Sequence, residues 1–160
     1  MSYLQGIATK QGGALWWRGG AVVLIAWVPM QLICRIVNAT FPGPSAENLF
    51  GTPYMAFVAA ILFAPIFETQ LMRLLFFLLG RFFKSQLALC WISAAIWGVA
   101  HLSSESWGLH AIWAFFVFGI CYLRLQESSK MRAILVVTLI HTGCNALSYV
   151  TYLITEHPKF

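Results

Sequence analysis

The chain has 160 residues, 60% of them hydrophobic and 9% charged, with a formal net charge of +5. About a quarter of the residues of a soluble domain are normally charged. So few charges cannot cover a water-facing surface, and the composition points to a chain surrounded by bilayer. The positive charge lies in short stretches between apolar runs, which fits membrane orientation rather than nucleic-acid binding.

Residues 1–11 are polar and read as interfacial, and no apolar run of signal-peptide length starts near Met1. A first span is predicted over 19–37, with Trp16 and Trp17 at its start, Arg18 and Arg35 as flanks and Pro29 set to kink it. A loop rich in Pro, Gly and Ser follows over 38–53. The second span, 54–80, exceeds the roughly 20 residues that cross a bilayer, so it must tilt, kink at Pro65 or protrude. The third, fourth and fifth spans are predicted over 86–102, 108–125 and 133–154. Alternation of the β-barrel kind is absent, and each run is too long for a typical strand. The expected fold is therefore all-α, a polytopic membrane bundle of about five transmembrane helices. It forms one integral membrane domain over 1–160, without internal repeat, low-complexity segment or second domain. Cys34, Cys90, Cys121 and Cys144 lie in or at the ends of apolar runs with no CxxC pair, and read as small buried apolar residues rather than a disulfide or zinc framework.

Loop charges set the orientation. Lys10 and Arg18 precede the first span, Arg81 and Lys84 separate the second from the third, and Arg124, Lys130 and Arg132 separate the fourth from the fifth. The alternate loops carry Glu47 and Glu105, with Arg35 only at a span end. This positive-inside pattern places the N-terminus in the cytoplasm and fits a bacterial inner membrane best.

Ionisable residues inside spans are costly and need a reason. Here they are Glu68 and Arg73 in the second span, His101 at the end of the third and His141 in the fifth, with Asn145 one turn further on the same face. A carboxylate close to a neutral imidazole can take a proton from water and pass it to a leaving amine. His141 and Asn145 could donate to a developing oxyanion. These are the parts needed for peptide hydrolysis. Other readings of the same residues are a polar network that joins helices, a proton or ion path, a haem held by two histidines, and a metal held with Glu68 and Cys144.

The order and spacing of these residues resemble the CAAX-protease and bacteriocin-processing family, also called the Abi family, of intramembrane peptidases. The family's first motif, EExxxR after a small residue and Pro, reads here Ala64-Pro65-Ile66-Phe67-Glu68-Thr69-Gln70-Leu71-Met72-Arg73. The second, an aromatic, three residues and His, reads Trp97-Gly98-Val99-Ala100-His101, and the third, HxxxN, reads His141-Thr142-Gly143-Cys144-Asn145. The resemblance covers about 54–150, the motif-bearing core. It implies a glutamic-type endopeptidase in which Glu68 and His101 activate water while His141 and Asn145 hold the oxyanion. One departure is Thr69, where the family has a second Glu that would face Arg73 four residues on. Arg73 must then find another carboxylate or backbone carbonyls, or snorkel to the cytoplasmic end. The alternatives are a catalytically degenerate relative that binds a peptide or partner as an immunity or sorting factor and, against the lack of a repeat, a proton-coupled transporter. The expected partners are membrane lipid, a peptide or protein substrate with a membrane-proximal cleavage site and, given the small bundle, a second copy as a homodimer. Nucleic acid is not expected. No cofactor is expected, with a divalent metal left open.

Labelling of single cysteines or reporters placed after Asn48 and after Glu105 is expected to find both positions outside the cytoplasm; a cytoplasmic result at either would contradict the orientation.

Overall fold

The computed structural model describes residues 12–40, 55, 57–102 and 105–156. The predicted interfacial segment 1–11, loop residues 41–53, Tyr54 at the start of the second span, and Lys159 lie outside the described residues. The regular elements, in order, are α1 (Gly12–Thr40), a π-helical stretch (Val58–Phe63) that runs directly into α2 (Ala64–Leu79), α3 (Gln86–Ala100), α4 (Glu105–Gln126) and α5 (Lys130–Glu156). Four segments, Arg18–Thr40, Val58–Leu79, Gly108–Gln126 and Lys130–Thr151, are long and apolar enough to cross a membrane. The third predicted span is the short apolar helix α3, whose 15 residues rise about 22 Å against a hydrocarbon core of about 30 Å. The protein is an all-helical polytopic membrane bundle.

Helix ends differ from the predicted span ends for a physical reason. Hydropathy marks the depth of hydrocarbon, whereas a helix continues until its backbone bonding stops. Thus α1 reaches Thr40, whose hydroxyl donates to Ile36 O at 2.9 Å. Conversely, α3 stops at Ala100 rather than Leu102, because His101 takes up a non-helical conformation (φ −104, ψ 14) as the cap residue.

Each helical proline removes an N–H and leaves a carbonyl one turn earlier without its donor. Both membrane prolines are compensated from a neighbouring helix. Pro29 lies inside α1, and the carbonyl four residues before it, Ile25 O, accepts from Trp113 Nε1 of α4 at 3.2 Å. Pro65 opens α2, and Ile61 O accepts from Thr142 Oγ1 of α5 at 3.2 Å. The predicted kink at Pro65 is thus a widened turn, in which Ala64 N–H bonds back to Ala59 O.

Helix α4 is the hub, packing against α1, α3 and α5. Ala111, Ala114, Phe115, Phe118 and Tyr122 are buried along it at one-turn spacing. Helix α1 is pinned by further polar contacts: Trp27 Nε1 and Gln31 Nε2 donate to Ser148 Oγ of α5 at 3.2 and 3.3 Å, and Cys34 Sγ lies 3.3 Å from His110 Nδ1 of α4. None of the four cysteines is in a disulfide; Cys90 and Cys144 are buried as expected, and Cys34 instead meets a histidine. Large apolar side chains such as Phe63, Phe67, Val99 and Ile154 are exposed, which in a bilayer is contact with lipid rather than a fault.

The α3–α4 contact depends on a missing side chain. A Cβ on Gly98 would collide with Ile112 and sit 3.1 Å from Gly108 O. Small residues let membrane helices approach in this way. Gly98→Val is expected to force the pair apart and to cost about 1–3 kcal/mol, read as a lower melting temperature of the purified protein in detergent. An unchanged melting temperature would contradict the packing.

Candidate active site

Glu68 projects from α2 just below the Pro65 break, His101 caps α3, and His141 lies within α5. The structure brings these three together. Glu68 Oε1 lies 3.9 Å from His101 Nε2, and Glu68 Oε2 lies 3.5 Å from His141 Nε2. The carboxylate therefore stands between two imidazoles carried by two other helices. The side chains of Glu68 and His101 are 19% and 25% exposed, whereas that of His141 is 6% exposed. The group is shielded but not closed off, with His141 as its deepest member.

Hydrogen bonding distinguishes the two rings. His101 Nδ1 lies 2.8 Å from Trp97 O, and a carbonyl only accepts, so the proton sits on Nδ1. In the neutral ring Nε2 then presents a lone pair toward Glu68. His141 Nδ1 is buried without a hydrogen-bond partner. A proton on Nε2, facing Glu68, leaves only a lone pair at that site, which is easier to leave unpaired than an N–H. One imidazole thus faces the carboxylate as an acceptor and the other as a donor.

The aromatic residues around them are the part that the sequence did not single out. Phe115 of α4 stacks on Trp97 with centroids 4.2 Å apart, and its ring lies 5.8 Å from that of His101 and 5.5 Å from that of His141. Phe118, one turn on, lies 4.8 Å from the His141 ring. Two buried phenylalanines of the hub helix therefore fix both imidazole planes. Nothing in the sequence separates them from ordinary core residues of an apolar helix.

The remaining candidates make other contacts. Asn145 Nδ2 donates to Ala60 O at 2.7 Å, so one of its two N–H groups is engaged by the backbone above Pro65. Thr69, which stands where the family motif has a second Glu, is 1% exposed, and its hydroxyl has no partner. Arg73, expected at a carboxylate, at backbone carbonyls or snorkelling to the cytoplasmic end, is exposed and donates from Nη1 to the side-chain amide Gln70 Oε1 at 3.3 Å. The i−3 side chain is simply the nearest acceptor on that face. Cys144 Sγ contacts Val23 O at 3.7 Å. Among the described residues no group of three or more His, Cys, Asp or Glu is arranged to hold a metal ion.

An apolar cleft of about 310 Å³ separates α2 from α3, lined chiefly by Leu71, Leu74, Leu75, Leu78, Ile96 and Trp97. It adjoins the site on both walls, since Leu71 follows Glu68 by one turn and Trp97 precedes His101 by one turn.

A family model described as type II CAAX prenyl endopeptidase, Rce1-like, matches residues 50–147. No curated protein and no solved structure matches the chain.

Thr69 yields a stability test. Its buried hydroxyl is desolvated without a bond, so the isosteric Thr69→Val is expected to stabilise the protein by about 1 kcal/mol, measured by thermal unfolding in detergent. A destabilised Thr69→Val protein would mean that the hydroxyl has a partner.

Proposed function

The chain belongs to the type II CAAX prenyl endopeptidase Rce1-like family, and from that premise we propose that it is a glutamic-type intramembrane endopeptidase that cuts a membrane-associated protein or peptide close to the bilayer. The family is one of proteases, and four of the described helices are long and apolar enough to cross a membrane. The observation that carries the finer reading is the single carboxylate of Glu68 held between His101 Nε2 and His141 Nε2 inside an apolar bundle.

The chemistry follows from the two faces of that carboxylate. On one side, Glu68 Oε1 and His101 Nε2 are both proton acceptors 3.9 Å apart. A water fits between them at about 2.8 Å from each, giving one proton to each acceptor. Glu68 takes the proton as the water oxygen bonds to the scissile carbonyl carbon. On the other side, His141 Nε2–H and the second N–H of Asn145 supply the oxyanion donors. The proton on Glu68 then passes to the amide nitrogen, the C–N bond breaks, and a carboxylic acid and an amine leave. The scheme uses no metal ion. The leucine-lined cleft beside Glu68 and His101 supports approach of an apolar substrate from the bilayer. The positive-inside charge pattern supports a bacterial inner membrane with the N-terminus in the cytoplasm.

Purified protein incubated with a library of membrane-tethered peptides is expected to cleave a subset of them. Glu68→Gln is expected to abolish cleavage with the fold intact, and Asn145→Ala to slow it about 10²–10³-fold, the usual loss for one oxyanion donor. Chelators are expected to have no effect. Full cleavage by Glu68→Gln would end the glutamic reading, and cleavage lost to a chelator and restored by zinc would make the protein a metallopeptidase. Binding of peptides by a folded wild-type protein without cleavage would make it a degenerate relative.

A further inference from the structure

The backbone around Pro65 has a bonding deficit that can be counted. In the widened turn, Ala64 N–H bonds to Ala59 O. Ala60 O therefore loses its α-helical donor, the N–H of Ala64. Its π-helical donor would be the nitrogen of residue 65, which is proline and has no hydrogen. Ile61 O loses its α-helical donor to the same proline. Two adjacent carbonyls thus lack their α-helical donors. Both are met from one turn of α5: Asn145 Nδ2 donates to Ala60 O at 2.7 Å and Thr142 Oγ1 to Ile61 O at 3.2 Å.

The same turn of α5 carries His141, whose Nε2 reaches Glu68 Oε2 at 3.5 Å on the other side of the break. Thr142 and Asn145 grip the chain before Pro65, and His141 meets the chain after it. This arrangement is a splint across the break. It fixes the register of α5 against α2, and with it the approach of His141 to the carboxylate.

We propose that Thr142, together with Asn145, is a positioning residue that aligns Glu68 with His141 by supplying the hydrogen bonds Pro65 removes. This rests on the reading of Glu68 as the working carboxylate. It adds Thr142, a residue with no role in the hydrolytic scheme, and gives Asn145 a task separate from any contact with substrate. An ordinary helical threonine returns its hydroxyl to its own i−4 carbonyl, as Thr151 does to Leu147 O at 2.9 Å. Thr142 gives its hydroxyl to another helix.

The test needs no peptide substrate, so an inactive protein still answers it. Dicyclohexylcarbodiimide adds to protonated carboxyl groups in apolar surroundings. Labelling of Glu68 is followed by mass spectrometry across pH in the purified full-length protein, with Glu68→Gln as the blank. The groups facing this carboxylate are His101 of α3 and His141 of α5, with Arg73 on its own helix bonded to Gln70. Thr142→Val removes the hydroxyl at constant shape. It is expected to change the labelling rate about fivefold, the worth of one ordinary hydrogen bond, and to move its pH midpoint. Thr142→Ser is expected to restore both. Pro65→Ala returns the missing N–H, so Thr142→Val in that background is expected to change labelling less than about twofold. If Thr142→Val alone does not fold, the Pro65→Ala/Thr142→Val protein is expected to fold. Labelling of Thr142→Val identical to wild type would overturn the proposal. So would failure of Ser to rescue, or an equal effect in both backgrounds, or a double variant that stays unfolded.

Discussion

A carboxylate near the middle of an apolar bundle has little water to solvate it and persists only where other polar groups meet it. Glu68 is met by two imidazoles that arrive on different helices, His101 from the end of α3 and His141 from within α5. That convergence is possible only if α2, α3 and α5 are held in one register. Helix α4 holds α3 and α5 in this register, and the bonds across the Pro65 break hold α2 to α5. Phe115 and Phe118 set the ring planes, and the side-chain-free contact at Gly98 draws α3 close enough for its cap residue to reach the carboxylate. The lipid-facing apolar surface contributes solubility in the bilayer, whereas the few internal polar contacts determine which helix stands where.

The second constraint is backbone accounting. In hydrocarbon an unpaired carbonyl costs several kcal/mol, so a proline within a span needs a donor from elsewhere. At Pro29 the donor is the Trp113 indole, and at Pro65 it is the Thr142 hydroxyl with the Asn145 amide close by. These bonds tie α1 to α4 and α2 to α5. Breaks that would weaken isolated helices thereby become the points at which the bundle is joined. The break at Pro65 also lies one turn from Glu68, which couples the joint to the position of the carboxylate.

The fold was largely legible in the sequence because a bilayer leaves helices as the economical choice for long apolar runs. The helix ends were less legible. The first span runs past Val37 to Thr40, and the third stops at Ala100, so that His101 is a cap rather than a helical residue. Spacing within three short motifs brought Glu68, His101 and His141 to notice. Their meeting is a tertiary fact that spacing alone leaves open. Thr69 and Arg73 were legible only as a departure from the family motif; that one is buried in the core and the other turns outward to Gln70 is set by packing. Thr142 was silent, because a threonine in an apolar helix ordinarily bonds its own backbone and gives no sign that its hydroxyl serves another helix.

The proposed hydrolysis turns on Glu68 acting upon water rather than upon the peptide itself, with His101 sharing that water. Cleavage of a susceptible peptide through several turnovers in heavy-oxygen water tests this directly, with mass spectrometry of both the product and the Glu68-bearing fragment of the enzyme. The heavy oxygen should appear in the new product carboxylate and be absent from Glu68. Heavy oxygen in the Glu68 carboxylate would mean that the side chain had attacked the peptide and been released by hydrolysis, and the arrangement described would have to be read as that of a nucleophile.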